Sequence, residues 1–321
     1  MSLAGSRCLV TGATGFIGWH LVKRLVEESA EVFCIVEPGV DSAELESAGG
    51  VSDILVADLT EARAIRRAVE AANPSLVFHL AAVGVTEPAI DPVGAVRVNV
   101  EGSVNLLLAL DGSFDLFINT GTCHEYGEGR LPLRESLPTA PTTVYAASKV
   151  AAWHFCNLFF RTRGWPIVTL RLFSVYGPRQ PSRTLVPSVI LSGLRKEELP
   201  MTDGDRVRDF VLVDDIVGGY LLAAGNRASV GQTFNLCSGR GISLRRLVSL
   251  IEGLIGPAPV KFGSLPSRAG EAPEIVGDNS LARKVLKWVP KVSLEEGLKL
   301  TVEWYKGCLE GHRSGRGCRK A

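Results

Sequence analysis

The chain has 321 residues, of which 46% are hydrophobic, and 35 Lys and Arg stand against 34 Asp and Glu for a net charge of +1. That length exceeds one ordinary compact core, so two lobes or one large α/β domain with an appendage are expected, and the near-neutral balance excludes a general nucleic-acid binder. No stretch reads as the run of about 20 apolar residues that spans a bilayer, and no hydrophobic leader precedes the first strand pattern, so the expectation is a cytoplasmic protein with neither membrane nor nucleic-acid partners.

Short β-branched runs alternate with helical stretches along the chain. "RCLVTG", "EVFCIV", "DILVAD", "SLVFHLAA", "DLFINTG" and "WPIVTLRLF" read as strands, with segments such as "GWHLVKRLVEE" and "TEARAIRRAVEAA" as helices between them. Apolar strands with intervening helices predict a doubly wound α/β fold of Rossmann type, its parallel sheet covered on both faces. The expected organisation is a dinucleotide-binding domain over 1–174 and a smaller mixed α/β substrate lobe over 175–310, where Pro and Gly recur. A segment at about 207–235, within "RVRDFVLVDDIVGGYLLAAG", is expected to return to the first domain, and 311–321 reads as a disordered basic tail. Cys8, Cys34, Cys156 and Cys237 lie inside apolar runs and no CxxC spacing occurs, so the thiols read as reduced core residues. His20, His79 and His154 read as core or surface residues, since their spacing offers no ligand pair, and no metal is expected.

The first strand pattern ends in "TGATGFIG", which places Gly12, Gly15 and Gly18 where a strand turns into a helix. Glycine there permits unusual backbone angles and close approach to a pyrophosphate, while the free N–H groups of the helix start attract the anion. Gly12, Gly15, Phe16, Ile17 and Gly18 are therefore the expected phosphate loop of a dinucleotide site. Glu37, at the end of the second strand with no arginine nearby, favours NAD by pairing with ribose hydroxyls, with NADP left open.

"YAASK" starts a helix and sets Tyr145 and Lys149 four residues apart, on one face. A free phenol is a poor base at neutral pH, but an adjacent ammonium favours the phenolate. Thr122 ends the intervening strand, where its hydroxyl can bond the oxygen from which Tyr145 takes a proton. The stretch "TGTCHEYG" then adds a thiol and an imidazole, Cys123 and His124, directly after it.

Taken in order, "TGATGFIG", "ADLT", "VFHLAA", "VNVEGSVNLL", "TGTCHEYG", "YAASK", "LRLFSVYGPRQ", "VRDFVLVDDI" and "SRAGE" span residues 7 to about 305. This series resembles the extended short-chain dehydrogenases/reductases of the NAD-dependent epimerase/dehydratase type, which act on nucleotide-activated sugars. The resemblance implies a catalytic Thr122, Tyr145 and Lys149, the last two also touching the cofactor. It places Asp58 and Leu59 beside the adenine, and Leu80, Ala81, Ala82, Asn99 and Thr120 as lining or buttressing the cofactor. On the substrate side it implies Arg208 and Arg268 gripping the phosphates, with Thr122, Ser174, Arg179, Leu185 and Met201 completing the set. The sequence departs from the pattern twice. Val36, not Glu37, aligns with the acid of NAD-using relatives, and Ser174 replaces a frequent asparagine.

The resemblance implies an NAD-dependent nucleotide-sugar epimerase or dehydratase working through a transient 4-keto sugar. The two residues after the catalytic hydroxyl vary with the reaction, and 4,6-dehydratases resemble one another in having Asp and Glu there. Cys123 and His124 occupy those positions and are expected as an extra acid/base pair. An NADPH-dependent 4-keto-6-deoxysugar reductase and a non-catalytic NAD(P)-sensing protein are the alternatives. The helix after Tyr145 carries Val150, Trp153, Phe155, Leu158 and Phe159, too many apolar residues for one stripe, so a homodimer is expected.

Overall fold

The computed structural model describes residues 3–46, 48–85, 90–266 and 270–313. Ten strands come first in chain order: β1 (Arg7–Thr11), β2 (Glu31–Val36), β3 (Val51–Val56), β4 (Leu76–His79), β5 (Leu116–Thr122), β6 (Ile167–Leu172), β7 (Ser174–Tyr176), β8 (Leu199–Pro200), β9 (Val207–Leu212) and β10 (Thr233–Leu236). Seven of them form one sheet in the order β10-β6-β5-β4-β1-β2-β3, every pairing parallel. Chain direction across the sheet reverses between β1 and β4, and the crevice at such a switch point is where ligands bind in open α/β sheets.

Side-chain alternation builds a core on each face of this sheet. Cys8 and Val10 point to one face, against α1 (Phe16–Glu27) and α8 (Val213–Ala224); Leu9 points to the other, packed with α3 (Ala62–Ala72), α5 (Gly102–Leu110) and α6 (Val144–Arg163). Because helices cover both faces, β5 and β6 are buried along almost their whole length. The shorter helices are α2 (Ala43–Glu46) and α4 (Pro92–Val96), the latter leading through a π-helical turn, Arg97–Glu101, into α5. This continuous helical run, Pro92–Leu110, is long and apolar enough by length and composition to cross a membrane, which the sequence was not expected to contain. In the fold it packs against α3 and α6.

A second sheet holds β11 (Gly241–Ser243), β9 and β13 (Glu274–Ile275), with β7 also paired to β9, while β12 (Val260–Lys261) pairs β8. Its apolar core comes from α7 (Leu185–Arg195), α9 (Leu244–Ile255) and α11 (Leu294–Arg313), and α10 (Ser280–Val285) packs against β10. Within 207–235 the chain divides its allegiance. β9 joins the second sheet, whereas α8 lies on the main sheet and β10 forms its edge. α11 continues through Arg313, past the expected start of a tail, and 314–321 lie outside the described residues. Cys8, Cys34, Cys156 and Cys237 are free and buried; Cys308 differs from the expectation of reduced thiols in being disulfide-bonded.

Phe117, the second residue of β5, has no solvent exposure and lies among the aromatic rings of Phe114 and His79. Phe117→Ala leaves a void beneath the strand that ends at Thr122 and is expected to cost about 3–5 kcal/mol. Urea unfolding followed by tryptophan fluorescence should show a correspondingly lower midpoint.

Candidate active site

A cavity of ≈ 560 Å³ opens at the carboxyl ends of β1, β2, β4 and β5. Gly12, Gly15, Phe16, Ile17 and Gly18 form one wall. Gly12 holds φ at +70°, and a Cβ there would stand 2.7 Å from Ala81 N; a Cβ on Gly18 would stand 2.1 Å from the Gly12 carbonyl oxygen. Only glycine permits this closeness of loop, helix and β4. Gly15 caps α1 without a side chain, and the first turn carries no acid, so the free N–H groups suit an anion. Glu37 stands exposed after β2 on the cavity wall, beside the buried Val36. Asp58 and Leu59 line the same end; Asp58 Oδ1 accepts from Thr60 N at 2.8 Å and from Thr60 Oγ1 at 2.9 Å, closing its own turn. Leu80, Ala81, Ala82 and Thr120 complete this half, the Thr120 hydroxyl bonding Tyr220 Oη at 2.6 Å.

Asn99 stands behind the wall rather than on it, in a buried chain of hydrogen bonds. Ala81 N–H donates to Thr11 Oγ1 at 3.3 Å, Thr11 Oγ1 meets His79 Nδ1 at 2.7 Å, and His79 Nε2 meets Ser103 Oγ at 2.8 Å. The Ser103 proton goes to the Asn99 carbonyl at 2.6 Å, which assigns the His79 proton to Nε2 and makes Nδ1 the acceptor from Thr11. The Asn99 amide in turn donates to Val83 O at 3.0 Å and Ser148 Oγ at 2.9 Å, and Ser148 donates to the Tyr145 carbonyl at 2.7 Å. The phosphate-loop strand and the start of α6 are thereby tied together.

Thr122, Tyr145 and Lys149 converge on the cavity. Thr122 ends β5 and caps the turn Cys123–Tyr126: its hydroxyl accepts from His124 N at 3.3 Å, which leaves the hydroxyl proton to point elsewhere. Thr143 caps α6 by accepting from Ala146 N at 3.1 Å, and this fixes Tyr145 in the first helical turn. Burial raises the Tyr145 phenol, the Glu125 charge adds to that, and a hydrogen bond from Thr122 opposes it. Lys149 is 1% exposed and its Nζ has no hydrogen-bond partner among the described residues. Burial lowers its pKa, with Glu125 and Cys156 opposing. An orphaned buried amine at a cavity wall, one helical turn from a phenol and facing a glycine cradle, fits a dinucleotide whose ribose and ring would pair with it.

The remaining predicted residues divide. Cys123 touches the cavity but packs among Tyr126, Leu133, Phe173 and Cys237, where burial pushes its thiol up to about 12. His124 stands exposed at the mouth; crowding by the walls and the Arg208 charge lower its pKa, with Glu271 opposing. Ser174 lines the cavity. Arg179 does not: it lies 3.8 Å above the Trp19 ring, pairs with Glu44, and borders a separate cavity of ≈ 320 Å³. Leu185 and Met201, expected to meet substrate, pack into the core of the second sheet because the apolar face of α7 draws them inward. Arg208 is buried, donating to Val207 O, Pro273 O and, at 2.7 Å, Glu271 Oε1. Its guanidinium is thus committed inside the protein, and Arg268 lies outside the described residues. Sequence reasoning missed Tyr220, Ser103 and Ser148, as well as Glu125 and Arg171 beneath the site. Only Arg171 carried a signal, a charge embedded in the apolar run "WPIVTLRLF".

The chain matches the model of the NAD dependent epimerase/dehydratase family over residues 8–237. It is 35% identical to the UDP-glucose 4-epimerase of Mycolicibacterium smegmatis, an alignment covering 94% of this chain and 98% of that one. Among solved structures it resembles the UDP-glucose 4-epimerase of Thermotoga maritima with UDP-glucose, at TM-score 0.87 and 31% identity over 94% of this chain and 99% of that one. It also resembles the UDP-glucuronic acid 4-epimerase of Bacillus cereus in complex with UDP-glucuronic acid and NAD, at TM-score 0.85 and 28% identity, with 94% and 99% covered.

Burial, and secondarily the Lys149 charge, lowers His79 from 6.5 to about 3. Between those two values the unfolded chain binds a proton that the folded chain refuses, so stability should fall as pH drops through this window, by about 1.4 kcal/mol per pH unit from this one group. His79→Gln is expected to flatten the acid slope of the unfolding free energy by that amount, read from urea titrations across the window.

Proposed function

The chain belongs to the NAD dependent epimerase/dehydratase family, and on that premise we propose that it is an NAD-dependent nucleotide-sugar 4-epimerase working through a transient 4-keto sugar. The observation that carries this reading is the convergence of Thr122, Tyr145 and Lys149 on one cavity, opposite the glycine cradle. The dinucleotide supplies reversible hydride acceptance at the carbinol carbon. Tyr145 takes the C4 hydroxyl proton as the carbinol becomes a ketone and returns it when the ketone is reduced. Thr122 orients that oxygen with its hydroxyl, held in place by the hydrogen bond it accepts from His124 N–H. Burial disfavours the phenolate, so the base needs positive charge nearby, and the unpartnered Lys149 amine is placed to supply it. Exposed Glu37 on the cavity wall favours NAD over NADP, whose extra phosphate it would repel.

Epimerisation is favoured over elimination by the state of Cys123. A thiol raised to about 12 within an apolar cluster is a poor proton acceptor at neutral pH, and an elimination needs a second working acid/base beyond Tyr145. Cys123 is read as packing, which leaves His124 without a partner for C5 chemistry. Offered a panel of UDP-, dTDP- and GDP-sugars, the enzyme should interconvert C4 epimers without net consumption of cofactor and without solvent deuterium at C5. Tyr145→Phe should lower kcat by roughly 10²- to 10⁴-fold, whereas Cys123→Ser should keep turnover. Bulk oxidation of NADPH would instead identify a reductase, and a deuterated 4-keto-6-deoxy product a dehydratase.

The reading includes a homodimer. Trp153 donates its indole N–H to Thr233 Oγ1 at 3.0 Å and Phe159 stacks on Trp165, so these two serve the core. Phe155 and Leu158 on α6, Leu108 on α5, and Val93 and Val96 on α4 remain exposed. Apolar side chains on adjoining helices suit a symmetric partner. Light scattering at micromolar concentration should give twice the chain mass, with Leu158→Glu shifting it to the monomer; a monomeric unmutated chain would refute the dimer.

A further inference from the structure

We propose that Glu125, clamped by Arg171 beneath the cavity floor, is a positioning residue that sets the Thr122 backbone and supplies the fixed negative charge facing Tyr145 and Lys149. The proposal rests on the catalytic reading of that group. Glu125 has no solvent exposure and does not line the cavity. Its two oxygens are divided between two tasks. Oε1 accepts the Thr122 backbone N–H at 2.8 Å, closing a capping box with the Thr122 side chain, and Oε2 accepts Arg171 Nε at 2.7 Å.

Arg171 is 1% exposed and lies between two rings, 4.6 Å from the centroid of Tyr126 and 4.8 Å from that of Trp153. Space for the pair is made by Gly121, where a Cβ would stand 2.6 Å from Glu125 Oε1 and 3.0 Å from Arg171 Cγ. Burying two charges this way adds little net stability over an apolar pair of the same volume, because desolvation consumes the attraction. The Nη2 of Arg171 is even left without a hydrogen-bond partner. What the pair provides that apolar residues cannot is a rigid acceptor for Thr122 and a charge.

That charge acts on the two protons of the site in concert. It opposes loss of the Tyr145 proton and opposes loss of the Lys149 proton. Arg171 is the cation paired with it, and the other titratable groups facing this region, Cys123, Cys156, His79, Tyr126 and Tyr220, are held uncharged near neutral pH by burial. Glu125 is therefore the charge that moves the pair when it is removed, and both protons should become easier to lose together. Glu125→Gln keeps an acceptor for Thr122 N–H and deletes the charge. Glu125→Gln combined with Arg171→Gln also removes the stranded cation, which protects the fold. Glu125→Ala deletes acceptor and charge.

In Glu125→Gln both limbs of the kcat/KM profile should move to lower pH, by about one unit, and in the double variant, which also removes the neighbouring cation, they should move the same way by less. Amide exchange at Thr122, measured by NMR, should stay slow in the Gln variants and accelerate in Glu125→Ala. Limbs that keep their positions while only the height of the profile drops would overturn the electrostatic role. Equal Thr122 protection in Glu125→Ala and the unmutated chain would overturn the positioning role. If the unmutated chain turns over no nucleotide sugar, the proposed function fails, and Thr122 amide exchange then judges Glu125 by itself.

Discussion

The buried hydrogen-bond chain from Thr11 through His79, Ser103 and Asn99 to Ser148 is the constraint on which the rest of the site depends. Three elements distant in sequence end at one crevice: the phosphate-loop strand, the end of β4 and the first turn of α6. Each ends in backbone groups that no regular ladder satisfies. A neutral imidazole joins them because it donates on one edge and accepts on the other, which neither a charged side chain nor an apolar one can do at that depth. The low pKa of His79 is the counterpart of that service.

Around this chain the cavity has two unlike halves. The half beneath the glycine loop is made mainly of backbone and apolar side chains, with Glu37 and Asp58 at its far end, and its loop is shaped by what cannot be placed there. The half around Thr122 and Tyr145 is polar and densely packed. The charged groups behind its wall are already spoken for: Glu125 by Arg171, and Arg208 by Glu271. Lys149 is the exception in having no partner among the described residues.

The division between what the sequence disclosed and what it withheld follows interaction range. Strands β1 to β6, the glycine loop and the Tyr145–Lys149 spacing are local patterns, periodic or fixed by one turn of helix, and residue order alone displays them. Arg179, expected among the substrate-side residues, and Arg208, expected on the phosphates, looked equally available from residue order. Their actual partners, Glu44 and Glu271, lie far along the chain, and only the packed fold brings them together. Met201 and Leu185 pack with the second core for a reason residue order does not display, since a short apolar element does not announce which of two cores it will join. For Cys123 the polar neighbours in "TGTCHEYG" suggested an accessible thiol. The turn that follows Thr122 instead rotates it into the apolar cluster with Phe173 and Cys237.

The π-helical turn Arg97–Glu101 has a wider bearing. A helix advances about 100° per residue, so one surplus residue in a wide turn changes the phase of everything downstream. Asn99, within the turn, faces Val83 and Ser148 while Leu106, Leu107 and Leu110 still face the sheet. An uninterrupted α-helix would satisfy one of those two orientations and forfeit the other. The bulge is thus a phase shifter, allowing a polar clamp and an apolar footing to share a single rod.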